Sequence, residues 1–355
     1  MINNWLYKVD NLSEKAREYL NIFKNKFSSE EIISIIDSLK DLKVLVIGDC
    51  ILDEYVFCDV MGKDEKEPLL VYNQLNSEKY AGGVLAIANH LADFVDKVNL
   101  ITSSGKKDEV NELLESKLNR KINKKIFFDE ISPSLTKKRY IERYTNRKVF
   151  EIYNEMYHNI DERLEGQITD YLYNNIKNFD ITIVSDFGHG MITDNIKNLL
   201  LETKNGFMAV NVQTNSGNYG YNYVTKYNNV DFVSLNDVEL RLSLQDRKSD
   251  FETLVEKLSK QVNCNQINLT LGKSGSLYYQ GKSHRVPAFA SQIIDTEGAG
   301  DAILSITSLL AYKKVNPEII PFIGNCVGAL AVQIMGNKEP INPINLNTFI
   351  ADILK

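Results

Sequence analysis

At 355 residues, with 43% hydrophobic and 25% charged residues, the chain has the balance of a globular protein able to fill a sizeable core. Its 47 acidic residues outnumber 41 basic ones, for a net charge of −6, which excludes coating nucleic acid or an anionic membrane as its main task. Cys50, Cys58, Cys264 and Cys326 form no CxxC pair, and His90, His158, His189 and His284 do not fall at zinc spacing beside them, so reduced, mostly buried thiols are expected. No apolar run reaches membrane-spanning length, and the opening MINNWLYKVDNLSEKAREYL has no apolar secretion core; the cytoplasm is the expected compartment.

Residues 1–40 read as a polar helical extension and 41–355 as one α/β unit. In the extension, LSEKAREYLNIFKNKF is followed by a second helical pattern. Ser29 before Glu31, with apolar Ile32, Ile33, Ile35, Ile36 and Leu39, fits a capped amphipathic helix. KVLVIGD (43–49) is a short apolar run ending in Gly-Asp, the pattern of a buried parallel strand that stops at a functional edge. Similar runs recur at 98–102, 180–186, 207–212, 230–236 and 267–272, and helical patterns occupy 81–94, 161–178, 194–203, 237–244 and 251–262. This alternation predicts a layered α/β fold with a mostly parallel central sheet, whose ligands collect outside the carboxyl ends of the strands. Residues 54–80 and about 132–156, rich in Tyr, Val and Phe with alternating charge, read as antiparallel strands forming a small β lid over that edge.

The chemistry concentrates in Asp295-Thr296-Glu297-Gly298-Ala299-Gly300-Asp301, which precedes the helical pattern AILSITSLLAY. A Gly-Ala-Gly turn opening a helix presents unpaired amides to an anion, and such an arrangement suits the charge that develops during phosphoryl transfer. Asp301, in the first turn, is placed to accept a hydroxyl proton. Taken alone, an ordinary helix cap explains the same residues equally well. Asp49 and Asp53, just past a strand end, suit gripping sugar hydroxyls, against the plain alternative of turn formation. Lys137, Lys138, Arg139, Arg143 and Arg147 suit a phosphate clamp, with Lys137 and Arg139 sharing a face by alternation; a solvated, charged lid edge is an even alternative.

The motif resembles the DTxGAGD signature of the ribokinase (PfkB) family of carbohydrate kinases, and the likeness extends over roughly 43–345. Asn236-Asp237-Val238-Glu239 resembles the family's NxxE, Thr270-Leu271-Gly272-Lys273-Ser274-Gly275 its TLGxxG turn, and Gly82-Gly83 the glycine pair beside the sugar. Asn325 lies where the adenine-pocket helix begins. Within the family the likeness is greatest to kinases of D-glycero-D-manno-heptose 7-phosphate: GDCILDEY (48–55), Thr136-Lys137-Lys138-Arg139 and Asp186-Phe187-Gly188-His189-Gly190 resemble segments of that group. Ala86 and Asn211-Val212-Gln213 depart from it.

The resemblance implies a ribokinase-like fold, ATP and Mg²⁺ as cofactors, and a sugar or sugar phosphate as acceptor. It further implies Asp301 as base, with Gly298, Ala299 and Gly300 as anion hole. Asn236 and Glu239 would place the metal through water, and Thr270, Gly272, Gly275 and Asn325 would border the nucleotide. Asp49, Asp53, Gly82, Gly83, Lys137 and Arg139 would border the acceptor. A homodimer through the lid and a separate nucleotidyltransferase in the same pathway are the implied partners, because no HxGH motif of such an enzyme occurs here. A nucleoside kinase on the same fold, or a catalytically silent sensing or partner subunit, stays open. Gly272-Lys273-Ser274 is not a Walker A loop, since Ile267 stands where its first glycine belongs. Asp186-Phe187-Gly188 lacks the other segments of a protein kinase.

Overall fold

The computed structural model describes residues 12–105, 107–129, 133–154, 159–203 and 206–355; the opening residues, His158 and the edges of the second lid segment lie outside them. Among the described residues the larger sheet has nine strands. On one side of β1 (Lys43–Gly48) lie β4 (Lys97–Ser104) and β5 (Ile122–Phe128). On the other side lie β8 (Ile181–Asp186), β9 (Phe207–Val212), β10 (Phe232–Asn236) and β11 (Ile267–Thr270), all parallel. An antiparallel hairpin, β12 (Ser276–Tyr279) and β13 (Ser283–Val286), closes that edge. The hairpin and β5 are strands that the apolar-run pattern does not reveal.

The apolar runs follow from burial on both faces of the sheet. Val44 and Val46 of β1 point into one core layer and Leu45 and Ile47 into the other. The first layer holds α1 (Glu14–Phe23), α2 (Ser29–Asp37), α3 (Val84–Leu91), α4 (Lys107–Lys117), α9 (Ala299–Tyr312), α10 (Ile319–Ala331) and α11 (Pro343–Ile353). The second holds α5 (Glu162–Asn175), α6 (Asp194–Glu202), α7 (Asp237–Leu244) and α8 (Phe251–Val262). No described helix is long and apolar enough to cross a membrane. All four cysteines are buried thiols.

The small sheet has the order β3-β2-β6-β7. β2 (Cys50–Lys63) leaves β1 after a single residue, Asp49, and pairs antiparallel with β3 (Leu70–Gly83) and parallel with β6 (Thr136–Glu142), which pairs antiparallel with β7 (Arg147–Asn154). Two boundaries move from the sequence expectation. β2 begins at Cys50 rather than 54, because residues 50–53 are buried on both sides and show no alternation. Tyr80–Gly83 belong to β3, so α3 starts at Val84, after Gly83 turns the chain at φ +55°. Ser28, not Ser29, caps α2 by accepting from the Glu31 amide at 3.2 Å.

α1 is held by the same core as the sheet: Phe23 stacks on Phe322 of α10 with ring centres 4.1 Å apart and contacts Phe27 at 5.0 Å. Phe23→Ala is expected to lower unfolding stability by about 3–5 kcal/mol, read from urea denaturation. A change under ~1 kcal/mol would mean that α1 docks without supporting the core.

Candidate active site

The carboxyl ends of the parallel strands, the 295–301 segment and the inward face of the small sheet meet in one place. Gly298 caps α9 at φ +74°, a conformation that favours glycine, and a Cβ there would lie 2.0 Å from Asn337 Oδ1 and displace that side chain. At Gly300 a Cβ would meet nothing within 4 Å: open space lies in front of this turn. The first amides of α9 have no intrahelical partners; that of Ala299 donates to the Thr296 carbonyl at 3.4 Å. Asp301 is half-buried there. Burial pushes its carboxyl up to about 8, with Asp53, Glu297 and Glu239 adding to the rise and Lys137 opposing it. Three segments distant in sequence, together with Glu297 of its own turn, therefore act on one carboxyl.

Alternation in β6 buries Lys137, Arg139 and Ile141 on the inward face, the shared face expected for the two cations. Arg139 is ion-paired to Asp53 of β2, to Glu151 of β7 at 3.0 Å and to Glu297 at 3.5 Å. Its guanidinium is thus engaged by three carboxylates. Lys137 lies over the rings of Tyr153 (5.0 Å) and Phe187 (6.0 Å). Gly82 is pressed on Asp53, since a Cβ there would sit 2.2 Å from Asp53 Oδ2. Gly83 is pressed on the Asp49 carbonyl.

Asp49 is arranged differently. Its carboxylate accepts the amides of Phe187 (2.9 Å), His189 (3.4 Å) and Met191 (3.1 Å), and so shapes the 186–191 turn. Burial and neighbouring Asp186 raise its carboxyl to about 6. That turn is further held by Asn215, Asn218 and Asn222, whose side-chain amides donate to the carbonyls of Phe187 and Asp186. A cleft lined by Asp49, Ser103, Ser104, Asp129, Asn154 and His189, among others, opens beside it. Such a lining of hydroxyls, amides and carboxylates suits a polyhydroxylated ligand.

On the other side, Asn236 of β10 pairs in register with Thr270 of β11. Asn236 and Glu239 form a capping box on α7: the Glu239 amide donates to Asn236 Oδ1 (2.9 Å) and the Asn236 amide to Glu239 Oε2 (2.8 Å). Glu239 Oε1 takes the Thr214 amide at 3.3 Å. Both oxygens are thus occupied, and burial raises the carboxyl to about 7. No group of three or more His, Cys, Asp or Glu fit to hold a metal occurs among the described residues. Direct coordination by Glu239 would compete with its two amide bonds, so a cation carried by nucleotide phosphates would be reached through water. Gly272, at φ +53°, faces open space, whereas a Cβ on Gly275 would meet the Val286 carbonyl at 1.9 Å. The Asn325 amide is bonded to Ser276 Oγ (2.6 Å) and the Pro321 carbonyl (2.8 Å), tying α10 to β12.

Residues outside the expected set complete the geometry. Asp295 Oδ2 accepts from the Tyr55 hydroxyl (2.6 Å) and the Gly336 amide (2.9 Å). Lys148 of β7 bridges Asp295 and Glu297, each at 2.9 Å. Asp295 and Glu297 stand inside the glycine-turn motif and Tyr55 ends the GDCILDEY segment, so all three carry a signal in the sequence; Lys148 carries none.

A mostly parallel sheet covered by helices on both faces, a small β sheet against its carboxyl edge and a glycine turn with a half-buried Asp define the scaffold of the ribokinase-like sugar kinases. The pfkB family carbohydrate kinase pattern matches residues 41–344, and the chain belongs to that family. Bifunctional protein HldE of a Nitratiruptor species is 23% identical over 83% of this chain, and that of Desulfatibacillum aliphaticivorans 26% over 83%; the chain spans 62% and 60% of their lengths. Ribokinase from Thermotoga maritima superposes with a TM-score of 0.67 at 16% identity, covering 87% of this chain and 99% of that one. Phosphofructokinase-2 from Escherichia coli, in complex with substrates and products, gives 0.69 at 12%, covering 88% and 100%. That family is one of carbohydrate kinases, which transfer phosphoryl groups to alcohol acceptors.

The raised Asp301 pKa has a sign that can be tested. A proton acceptor must be ionised, so kcat/KM rises with pH and levels off above about 8 when both substrates are subsaturating. Lys137→Ala, which removes a charge favouring the carboxylate, moves the bend up; Glu297→Gln moves it down. A profile flat from about pH 6 to 9 removes Asp301 from the proton transfer.

Proposed function

We propose that the chain transfers the γ-phosphoryl group of ATP to a hydroxyl of a sugar phosphate, with D-glycero-D-manno-heptose 7-phosphate as the acceptor. The observation that carries the transfer is Asp301, half-buried at the mouth of α9 beside the open face of Gly300. The acceptor hydroxyl oxygen attacks the γ-phosphorus, its proton passes to Asp301, and the bond to the β-γ bridging oxygen breaks with its electron pair leaving on ADP. The amides of the 298–301 turn stabilise the equatorial oxygens. A magnesium ion, when bound with the nucleotide, supplies charge neutralisation of the β- and γ-phosphates. Asn236 and Glu239 orient its water shell, and Thr270 and Gly272 border the nucleotide.

Two observations support a phosphorylated acceptor. The inward lid face offers Lys137 and Arg139, and one of the carboxylates now on Arg139, Glu151, is partly exposed. It can turn to water at low cost, whereas buried Asp53 cannot. An acceptor phosphate exchanges for it and keeps the guanidinium neutralised. The heptose assignment leans on the HldE relatives. A nucleotidyltransferase of the same pathway is the partner that this reading calls for. Exposed Leu70, Phe150 and Ile152 on the small sheet support pairing of two copies through the lid.

The test is an ATP-consumption screen over heptose 7-phosphate, hexose phosphates, free sugars and nucleosides. Heptose 7-phosphate is expected to give the highest kcat/KM, and Asp301→Asn to lose about 10³-fold in kcat while ATP still binds. Preference for a nucleoside or an unphosphorylated sugar would overturn the acceptor. Glu239→Gln, which can keep the capping bond from the Asn236 amide but loses the one from the Thr214 amide, is expected to raise the magnesium concentration for half-maximal rate without changing acceptor KM; a superimposable magnesium titration counts against its role.

A further inference from the structure

One lid side chain reaches the glycine turn by a route that strand alternation conceals. In β7, strict alternation groups Lys148 with the exposed Phe150 and Ile152 and turns Val149 inward with Glu151 and Tyr153. The ladder to β6 breaks that order. Tyr140 pairs with Phe150 but Ile141 pairs with Lys148, leaving Val149 as an extra residue. A one-residue bulge exchanges the faces of the residues on either side of it. Val149 is accordingly exposed, and Lys148 points at the 295–298 segment.

There its ammonium lies 2.9 Å from Asp295 Oδ1 and 2.9 Å from Glu297 Oε1. Asp295 is held on its other oxygen by Tyr55 and the Gly336 amide, and its Oδ1 also takes the Glu297 amide at 3.2 Å. Burial alone would raise the Glu297 carboxyl; the charges of Arg139 and Lys148 outweigh it and hold the group below its usual range. Removing the ammonium leaves two carboxylates two residues apart, repelling each other at the entrance to the turn.

We propose that Lys148 is a positioning residue for phosphoryl transfer: it clamps Asp295 to Glu297, so that the 298–301 turn takes its working shape only while the small sheet is seated on it. This rests on the reading that the turn receives the transferred phosphate. The lid then acts as more than a cover, because its arrival completes the anion site.

The experiment compares wild type with Lys148→Met, Glu297→Gln and the double variant, using ATP with heptose 7-phosphate, fructose 6-phosphate and ribose. Lys148→Met is expected to lower kcat about 100-fold, with KM for ATP within about three-fold of wild type. Glu297→Gln gives a smaller loss, and the double variant is no worse than Lys148→Met, because the two side chains act through one bridge. In Lys148→Ala the missing atoms are those of propylammonium. A cavity walled by Ile141, Ile294 and Met335 leads to Lys148 and Asp295, so propylammonium is expected to restore turnover in proportion to its concentration, and choline to do nothing. A melting temperature that falls while kcat stays within about two-fold of wild type, additive losses in the double variant, or no rescue each overturns the proposal alone. Should Lys148→Met fail to fold, Glu297→Gln on a half-exposed residue and the rescue of Lys148→Ala decide the question in its place. Wild type that phosphorylates none of the three acceptors overturns the functional reading and this proposal with it.

Discussion

The seam between the small sheet and the α9 entrance depends on one electrostatic constraint: carboxylates are gathered there at a density tolerable only with cations among them. Asp53, Asp295, Glu297 and Asp301 come within range of one another, and Arg139, Lys148 and Lys137 lie between them. Buried charge is costly unless paired with good geometry, so neither the sheet nor the turn can hold this arrangement separately. Among the described residues of this seam, Asp301 is the carboxyl left without a close cationic partner of its own, and its raised pKa is the mark of that position. Pairing its neighbours while leaving it short of positive charge yields a group that prefers to take up a proton.

The two sides of the site are built in different ways, and the difference bears on what each recognises. The side proposed for the nucleotide rests on backbone geometry: a capping box at Asn236 and Glu239, a glycine at 275 with no room for a Cβ, and Asn325 bonded into α10 and β12. Such contacts have one arrangement and suit a ligand that never changes. The side proposed for the acceptor rests on long charged side chains carried by a four-stranded sheet, where exchange of one anion for another needs no change in the backbone. Kinases sharing this scaffold can differ in acceptor through the small sheet alone, with the phosphoryl-transfer turn unaltered.

How much of this is legible in the sequence depends on which physical signals are local. The parallel strands are legible because burial on both faces makes a continuous apolar run, as in Val44–Ile47. The start of β2 is not, because residues 50–53 are buried on both sides yet include Asp53, whose partner Arg139 lies in another strand. The glycine turn and Asp301 are legible as a motif, and Asp295 and Glu297 stand in the same seven residues. Their roles depend on Tyr55 and Lys148, whose arrival is set by pairing in the small sheet. The Glu239 match reads as metal chemistry, whereas its immediate contacts are those of a helix cap; both arise from one carboxylate at the start of α7. Nothing in the spacing of Lys148 signals its direction, since a bulge is a property of two strands in register and not of either alone.

Dependence on two strands at once makes the lid resist prediction more than the sheet beneath it. In the main sheet each strand's environment repeats, so composition predicts orientation. In the small sheet one face meets charged chemistry and the other presents Phe150 and Ile152 outward, and a single extra residue exchanges the two. Without the bulge at Val149, Lys148 would lie with the outward apolar residues and a valine would face Glu297. The site would then hold one cation fewer against the same carboxylates, and by the constraint that governs the seam it would lose either its charge or its closure. The irregularity in β7 is therefore a requirement of the electrostatics at α9.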